Sequence, residues 1–309
     1  MQKHDNICPR CPRHCHADRV STLGFCHSGI TPEVASICIH GGEEPPISGT
    51  KGACNVFFAH CNLQCIYCQN LDISRATVDK GKIFYHSLNE VVARIEQLLP
   101  ESENILGLVS PTHYIDSIPT IVERLHADGF TPTVVYNSNG YDDVEALRTI
   151  EPYIDIYLPD FKYMDSRLAK AYSNAADYPE RAAAALREMC RQKGKSLLCD
   201  EHGMAFRGII IRHLVLPGEV DNSRRVLDWI ADNLSLGIHI SLMAQYFPPE
   251  GATLPPALQR TITADEYQQV VEHYEVLGFY RGWVQELSAN ESYRPDFTQQ
   301  DSFQQQDNG

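Results

Sequence analysis

Three cysteines, Cys61, Cys65 and Cys68, fall within eight residues of one another in the stretch from Phe57 to Asn70. Thiolates are the usual ligands of iron–sulfur clusters, and the spacing C-x3-C-x2-C suits one short loop wrapped around a cubane. A cubane has four irons and this loop supplies three thiolates, which leaves one iron open to a further ligand. A zinc loop or a redox dithiol is the competing reading, because C-x2-C alone occurs in both. Structural zinc, however, takes four closed ligands, and this loop has three on unequal spacing.

A second constellation lies near the amino terminus, where Cys8-x2-Cys11-x3-Cys15 is followed by Cys26 among Pro9, Pro12, Gly24 and Gly29. A short cysteine-dense segment lacks the apolar periodicity to fold alone, so a metal is a reasonable staple. Four thiolates fit either a closed zinc site or an auxiliary [4Fe–4S] cluster, and His14, His16 and His27 are interleaved as possible substitutes. Spacing does not choose between zinc and iron–sulfur, and unligated thiols are the remaining alternative. Cys38, Cys54, Cys190 and Cys199 have no ligand spacing among themselves and read as buried free thiols.

The elements that must position these groups follow a strand-then-helix rhythm, which calls for a parallel sheet with helices outside. Candidate strands run over 54–59, 105–109, 133–136, 154–158, 208–216 and 238–244. Candidate helices run over 87–99, 115–127, 141–150, 180–192, 221–233 and 263–277. Ser87 and Glu90 are spaced as a capping box, Asp221 and Thr263 read as caps, and 281–286 resembles a terminal strand. Six units predict an α/β fold, a partial TIM-like (β/α)6 barrel carrying a small cysteine-rich amino-terminal metal-binding extension. The expected division is an extension over 1–50, a core barrel over 51–290 and a polar, disordered tail over 291–309.

In such barrels reactive groups belong on the loops at the carboxyl ends of strands. That filter gathers the three loop cysteines, Ser110-Pro111-Thr112-His113, Asn137-Ser138-Asn139-Gly140, Asp160-Phe161-Lys162, Arg212-His213 and Gln245-Tyr246 on one rim. Lys162 or Arg212 would suit a carboxylate, and Asp160, Asn137 and Asn139 would suit an ammonium or sugar hydroxyls. An ion pair between Asp160 and Lys162, and a plain turn at Asn139-Gly140, are the competing structural readings. The loop holding Cys199 enters a strand and so belongs to the opposite rim.

Composition sets outer bounds. The chain has 309 residues, 43% of them hydrophobic, enough for one large core, and a formal charge of −14. An acidic surface argues against nucleic-acid binding, which needs clustered Lys and Arg. The opening residues lack an apolar signal segment and no apolar run is long enough to span a bilayer, so no membrane partner and a cytoplasmic location are expected. Eleven cysteines in such a setting read as reduced thiols and metal ligands.

The C-x3-C-x2-C loop, with Tyr67 just before its last cysteine, resembles the signature of the radical S-adenosylmethionine (radical SAM) superfamily. Several segments are similar to the PflX-type proteins of that superfamily, relatives of the pyruvate formate-lyase activating enzymes. They are 43–49, 57–70, 110–113, 157–162, 212–218 and 242–246. The resemblance covers about residues 8 to 290. It implies a [4Fe–4S] cluster on Cys61, Cys65 and Cys68 whose open iron is chelated by SAM. It also implies reductive cleavage to a 5′-deoxyadenosyl radical, an electron donor such as flavodoxin or ferredoxin, and hydrogen abstraction from a substrate, for instance a glycyl radical enzyme. Modification of a peptide or small molecule is an alternative within that chemistry, and a nonenzymatic metal-binding or scaffold protein is the alternative outside it. Asp160-Phe161-Lys162 is similar to the segment that contacts SAM in the activases. Ser110-Pro111-Thr112-His113 stands where those activases have Gly-Gly-Glu, and Asn137-Ser138 where they have Asp and Thr.

Overall fold

The computed structural model describes residues 8–75, 83–287, 295–299 and 302–303. Nine strands form one sheet: β1 (Val34–His40), β2 (Ala53–Phe58), β3 (Ile105–Val109), β4 (Thr133–Ser138), β5 (Ile156–Pro159), β6 (Leu198–Cys199), β7 (Ala205–Leu214), β8 (His239–Met243) and β9 (Gly282–Val284). The order is β1-β2-β3-β4-β5-β7-β8-β9, with β6 paired to β7 off this path. Every pairing from β2 through β9 along that path is parallel, whereas β1–β2 and β6–β7 are antiparallel. Parallel strands covered on both faces carry near-continuous apolar runs, and β2 and β3 are buried at every residue.

The helices are α1 (Pro45–Ser48), α2 (Leu71–Ser74), α3 (Leu88–Leu98), α4 (Ile118–Ala127), α5 (Val144–Ile150), α6 (Ser166–Ser173), α7 (Tyr178–Lys193), α8 (Val220–Asn233) and α9 (Ala264–Leu277). Half of the capping box expected at Ser87 forms: its hydroxyl accepts from Glu90 N, whereas the Glu90 carboxylate accepts from His86 N, one residue before the cap. Thr263 and Glu266 make the full reciprocal pair at α9. The cap expected at Asp221 is displaced, because α8 starts at Val220 and Asp221 lies exposed inside its first turn. Helix α5 starts later than expected, at Val144, because Asp143 accepts from Glu145 N and Ala146 N. Among the described residues no helix is long and apolar enough to cross a membrane.

The fold is the expected partial α/β barrel, with one difference at its edge. Residues 34–40, expected to lie in the amino-terminal extension, are a strand of the sheet: β1 runs antiparallel along β2 from Val34↔Phe58 to His40↔Ala53. Of the tail expected to be disordered, Phe297 is buried with its ring 5.7 Å from that of Phe57. Residues 288–294, 300–301 and 304–309 lie outside the described residues. Cys38, Cys54 and Cys190 are buried thiols as expected, but Cys199 is exposed, since two-residue β6 has an outward-facing burial pattern.

Candidate active site

A cavity of about 530 Å³ opens at the carboxyl ends of the parallel strands, and Cys61, Cys65, Cys68, Asn137, Asn139, Asp160, Lys162 and Arg212 all line it. Eight residues drawn from the loop after β2 and from the ends of β4, β5 and β7 thus meet at one place. Each was expected at the rim from strand position alone.

The cysteine loop is shaped by two left-handed residues, His60 at φ 68° and Gln64 at φ 54°, each immediately before a cysteine. Non-glycine residues adopt this region at a cost that persists only where the surroundings enforce it. Here His60 bonds Glu33 at 2.7 Å, and Gln64 donates its amide to Phe25 O at 2.8 Å. Cys61 Sγ accepts from Asn139 Nδ2 and from Leu63 N, both at 3.3 Å, and Cys65 Sγ accepts from the Ser173 hydroxyl at 3.0 Å. Asn139 is fixed in turn, its carbonyl accepting from Tyr141 N at 2.9 Å and its amide reaching Asn62 Oδ1 at 2.8 Å.

Burial pushes the Cys61 thiol up, aided by neighbouring Cys65 and opposed by the hydrogen bonds it accepts, and burial pushes Cys68 up to about 12. Metal ligation requires the thiolate, so a bound cation must offset that burial. Three thiols on one cavity wall, two of them buried and already receiving hydrogen bonds suited to thiolate sulfur, fit a cluster. Tyr67 packs edge-on against Tyr163, Tyr172 and Tyr246 and accepts from the Tyr163 hydroxyl at 2.7 Å, walling the loop with aromatic rings.

The charged side of the cavity is paired internally. Lys162 Nζ lies 2.5 Å from Asp160 Oδ2. Burial works against the Lys162 charge, yet Asp160 and the Cys65 and Cys68 thiols hold its pKa above the ordinary lysine range. Arg212 forks onto Glu44 at 2.8 and 2.7 Å and also bonds Glu43. Burial opposes its charge, but the two carboxylates raise its pKa. Its partners are therefore protein carboxylates, where sequence position had suggested a ligand carboxylate.

Glu43 and Glu44 follow β1 and line the cavity; no role for them had been read from sequence. Asn55 donates to Glu43 Oε1 at 2.7 Å from β2. Gly107 on β3 makes room for that side chain, since a Cβ there would lie 1.9 Å from Asn55 Oδ1. A chain of amides was also not foreseen: Gln69 donates to Gln245 O at 2.8 Å, and Gln285 to Gln245 Oε1 at 2.9 Å. These residues tie the cysteine loop to the ends of β8 and β9.

The segment after β3 divides. Ser110, at φ 56°, lines the cavity. Thr112 turns to the buried Asp142, which also accepts from Tyr136 and Ser138, so four side chains lock the loops after β3 and β4 together. His113 faces away from the cavity, its Nε2 bonded to Ala59 O at 2.8 Å. It borders instead a recess formed with Cys8, Cys11, Cys15 and Cys26.

The sequence model of the Radical SAM superfamily matches residues 55–230, the span from β2 into α8 that carries the three cysteines and most of the rim. The chain belongs to the radical SAM superfamily. Uncharacterized protein MJ0674 of Methanocaldococcus jannaschii is 28% identical over 270 residues, covering 86% of this chain and 73% of that protein. Among solved structures, the FeFe-hydrogenase maturase HydG of Carboxydothermus hydrogenoformans superposes with a TM-score of 0.52 at 13% identity. That match covers 72% of this chain and 50% of HydG, so this chain spans half the length of that protein. A domain of pyruvate-formate lyase-activating enzyme from Bacteroides vulgatus has a TM-score of 0.40 at 13% identity, covering 56% of this chain and 92% of that domain.

Proposed function

We propose that this radical SAM chain is an enzyme that cleaves SAM reductively and abstracts hydrogen from a substrate. The observation that carries this reading is the convergence of Cys61, Cys65 and Cys68 with five polar rim residues on one cavity of about 530 Å³. When bound, a [4Fe–4S] cluster with an open iron supplies the electron and the chelation site for SAM; the protein supplies orientation and exclusion of water.

Asn139 and Ser173 hold two of the ligating sulfurs in hydrogen bonds, and Tyr67 excludes water from the loop. Lys162 is kept protonated beside Asp160, so the pair can meet both the carboxylate and the ammonium of a zwitterion by exchanging partners. Asn137, at the end of β4, offers an amide for a sugar hydroxyl. Arg212 is a positioning residue in this account: clamped by Glu43 and Glu44, it braces the wall beside Asp160.

Activation of a glycyl radical enzyme is the substrate reading drawn from resemblance to the PflX-type proteins. A small molecule or short peptide is the second reading. It is favoured by Pro295 and Phe303 of the carboxyl-terminal segment, which also line the cavity and narrow the room for a docked protein loop. A flavodoxin or ferredoxin as electron donor and a cytoplasmic location belong to the same proposal.

The test is anaerobic reconstitution with iron and sulfide, then reduction with SAM present and quantification of 5′-deoxyadenosine beside a Cys65→Ala control. Product that depends on Cys65 supports the proposal. SAM left intact by cluster-loaded protein, with and without candidate substrates, overturns it in favour of a nonenzymatic metal-binding role. A glycyl radical signal by electron paramagnetic resonance, after mixing with a glycyl radical enzyme, separates the two substrate readings.

A further inference from the structure

Cys8, Cys11, Cys15 and Cys26 line one recess behind the cysteine loop, together with Arg10, Arg19 and His113. We propose that these four cysteines bind a second, fully ligated [4Fe–4S] cluster.

The first support is a geometric rhyme between two loops. Cys11-x3-Cys15 has the spacing of Cys61-x3-Cys65, and in both the residue just before the second cysteine is left-handed: His14 at φ 40° and Gln64 at φ 54°. The x2 arms occur in the opposite order, Cys8-x2-Cys11 preceding the x3 arm here and Cys65-x2-Cys68 following it there. Gly24 packs against this loop so closely that a Cβ would lie 2.3 Å from Cys15 Sγ. If the loop of Cys61, Cys65 and Cys68 holds a cubane, as proposed above, a loop with the same x3 turn is suited to one as well.

Spacing left zinc open, and the two occupants make different demands on the four sulfurs, which the metal and sulfide count below tells apart. A tetrahedral zinc site draws its four sulfurs onto one point about 2.3 Å away, whereas a cubane keeps its ligands apart on four corners.

The recess also asks for an anion. A [4Fe–4S] core with four thiolates is negative overall, and Arg10, Arg13 and Arg19 all border the site. Arg10 Nη1 and His113 Nδ1 are buried with no hydrogen-bond partner, and such groups call for an explanation in any folded protein. An N–H facing bridging sulfide is one.

The two cysteine loops are joined. Arg13, inside the Cys11-x3-Cys15 loop, donates to Asn62 O at 2.8 Å, Ser173 O at 2.9 Å and Asn174 O at 2.6 Å, its guanidinium stacked 3.9 Å over Phe25. The second cluster would thus staple the segment that braces the first.

The experiment counts iron, zinc and acid-labile sulfide in the full chain after anaerobic reconstitution, and in a variant carrying Cys61→Ala, Cys65→Ala and Cys68→Ala. The variant should keep about four irons with about four sulfides, lose them on adding Cys11→Ser, and show a reduced-cluster resonance that SAM does not shift. One zinc without sulfide, no metal, or a SAM-dependent shift in that variant each overturns the proposal. Should the triple variant fail to fold, the unaltered chain decides: about eight irons support a second cluster and about four refute it. The count is independent of SAM cleavage, so the fate of this site and that of the proposed reaction are read separately.

Discussion

Ser173, the last residue of α6, donates its hydroxyl to Cys65 Sγ at 3.0 Å and shares a 2.8 Å hydrogen bond with Tyr163. A hydrogen bond onto a ligating sulfur stabilises the more negative, reduced cluster and raises its potential. Ser173→Ala should leave iron content intact while lowering the potential by tens of millivolts, on the scale of one charge-assisted hydrogen bond of ~1.5 kcal/mol. Redox titration followed by electron paramagnetic resonance measures this, and an unchanged potential would remove Ser173 from the cluster's environment.

Asp160 and Lys162 form a half-buried ion pair on the cavity wall. Lys162→Met leaves the carboxylate uncompensated and should cost about 1–2 kcal/mol of stability, between the values for an exposed and a fully buried pair. The double change Asp160→Asn with Lys162→Met should recover most of that stability in a denaturant titration. SAM binding, followed by calorimetry on the cluster-loaded protein, should stay at least tenfold weaker in both. Full binding by the double variant would reduce the pair to scaffolding.

His213 is buried between Phe161 O, 2.7 Å from Nδ1, and the Ser223 hydroxyl, 2.9 Å from Nε2. Burial pushes its pKa down to about 4, with the Phe161 carbonyl pulling the other way. The unfolded chain protonates this imidazole near pH 6.5 and the folded one near 4. Its contribution to stability is therefore complete above about pH 6.5 and is lost as pH falls toward 4, about 3 kcal/mol in all. His213→Gln should flatten the stability profile between pH 6.5 and 4 while lowering its neutral-pH plateau. An unchanged slope there would place the acid sensitivity elsewhere.

Gly107 is required by Asn55, whose Oδ1 occupies the space a Cβ would take. Gly107→Ala should destabilise by about 1–3 kcal/mol through overpacking. Combining it with Asn55→Ser should restore part of the loss while freeing Glu43 from its β2 partner. Thermal unfolding of the four-member cycle gives the coupling, and strictly additive losses would mean that the two side chains do not compete.

Much of the site was legible because strand ends and cysteine spacing are local properties. The buried runs of β2 and β3 announce themselves as parallel strands, and Asn139, Asp160 and Lys162 follow from where such strands stop. What escaped depends on distant partners. Strand β1 joins antiparallel, outside the repeating strand–helix unit, so nothing in that rhythm announces Val34–His40. Glu43 and Glu44 acquire meaning only through Arg212, 169 and 168 residues away respectively. His113 follows β3 as expected, but it turns from the cavity to bond Ala59. Cys199 was assigned burial from residue type alone, and a two-residue edge strand exposes it.

The guanidinium of Arg13 joins backbone carbonyls 49, 160 and 161 residues away. Contacts of such range wait until the intervening sheet and helices have assembled, because each closes a long stretch of chain. The clamp is therefore a late event in folding. On the proposed reading, iron and sulfide would reach the loop of Cys61, Cys65 and Cys68 most readily before that clamp closes.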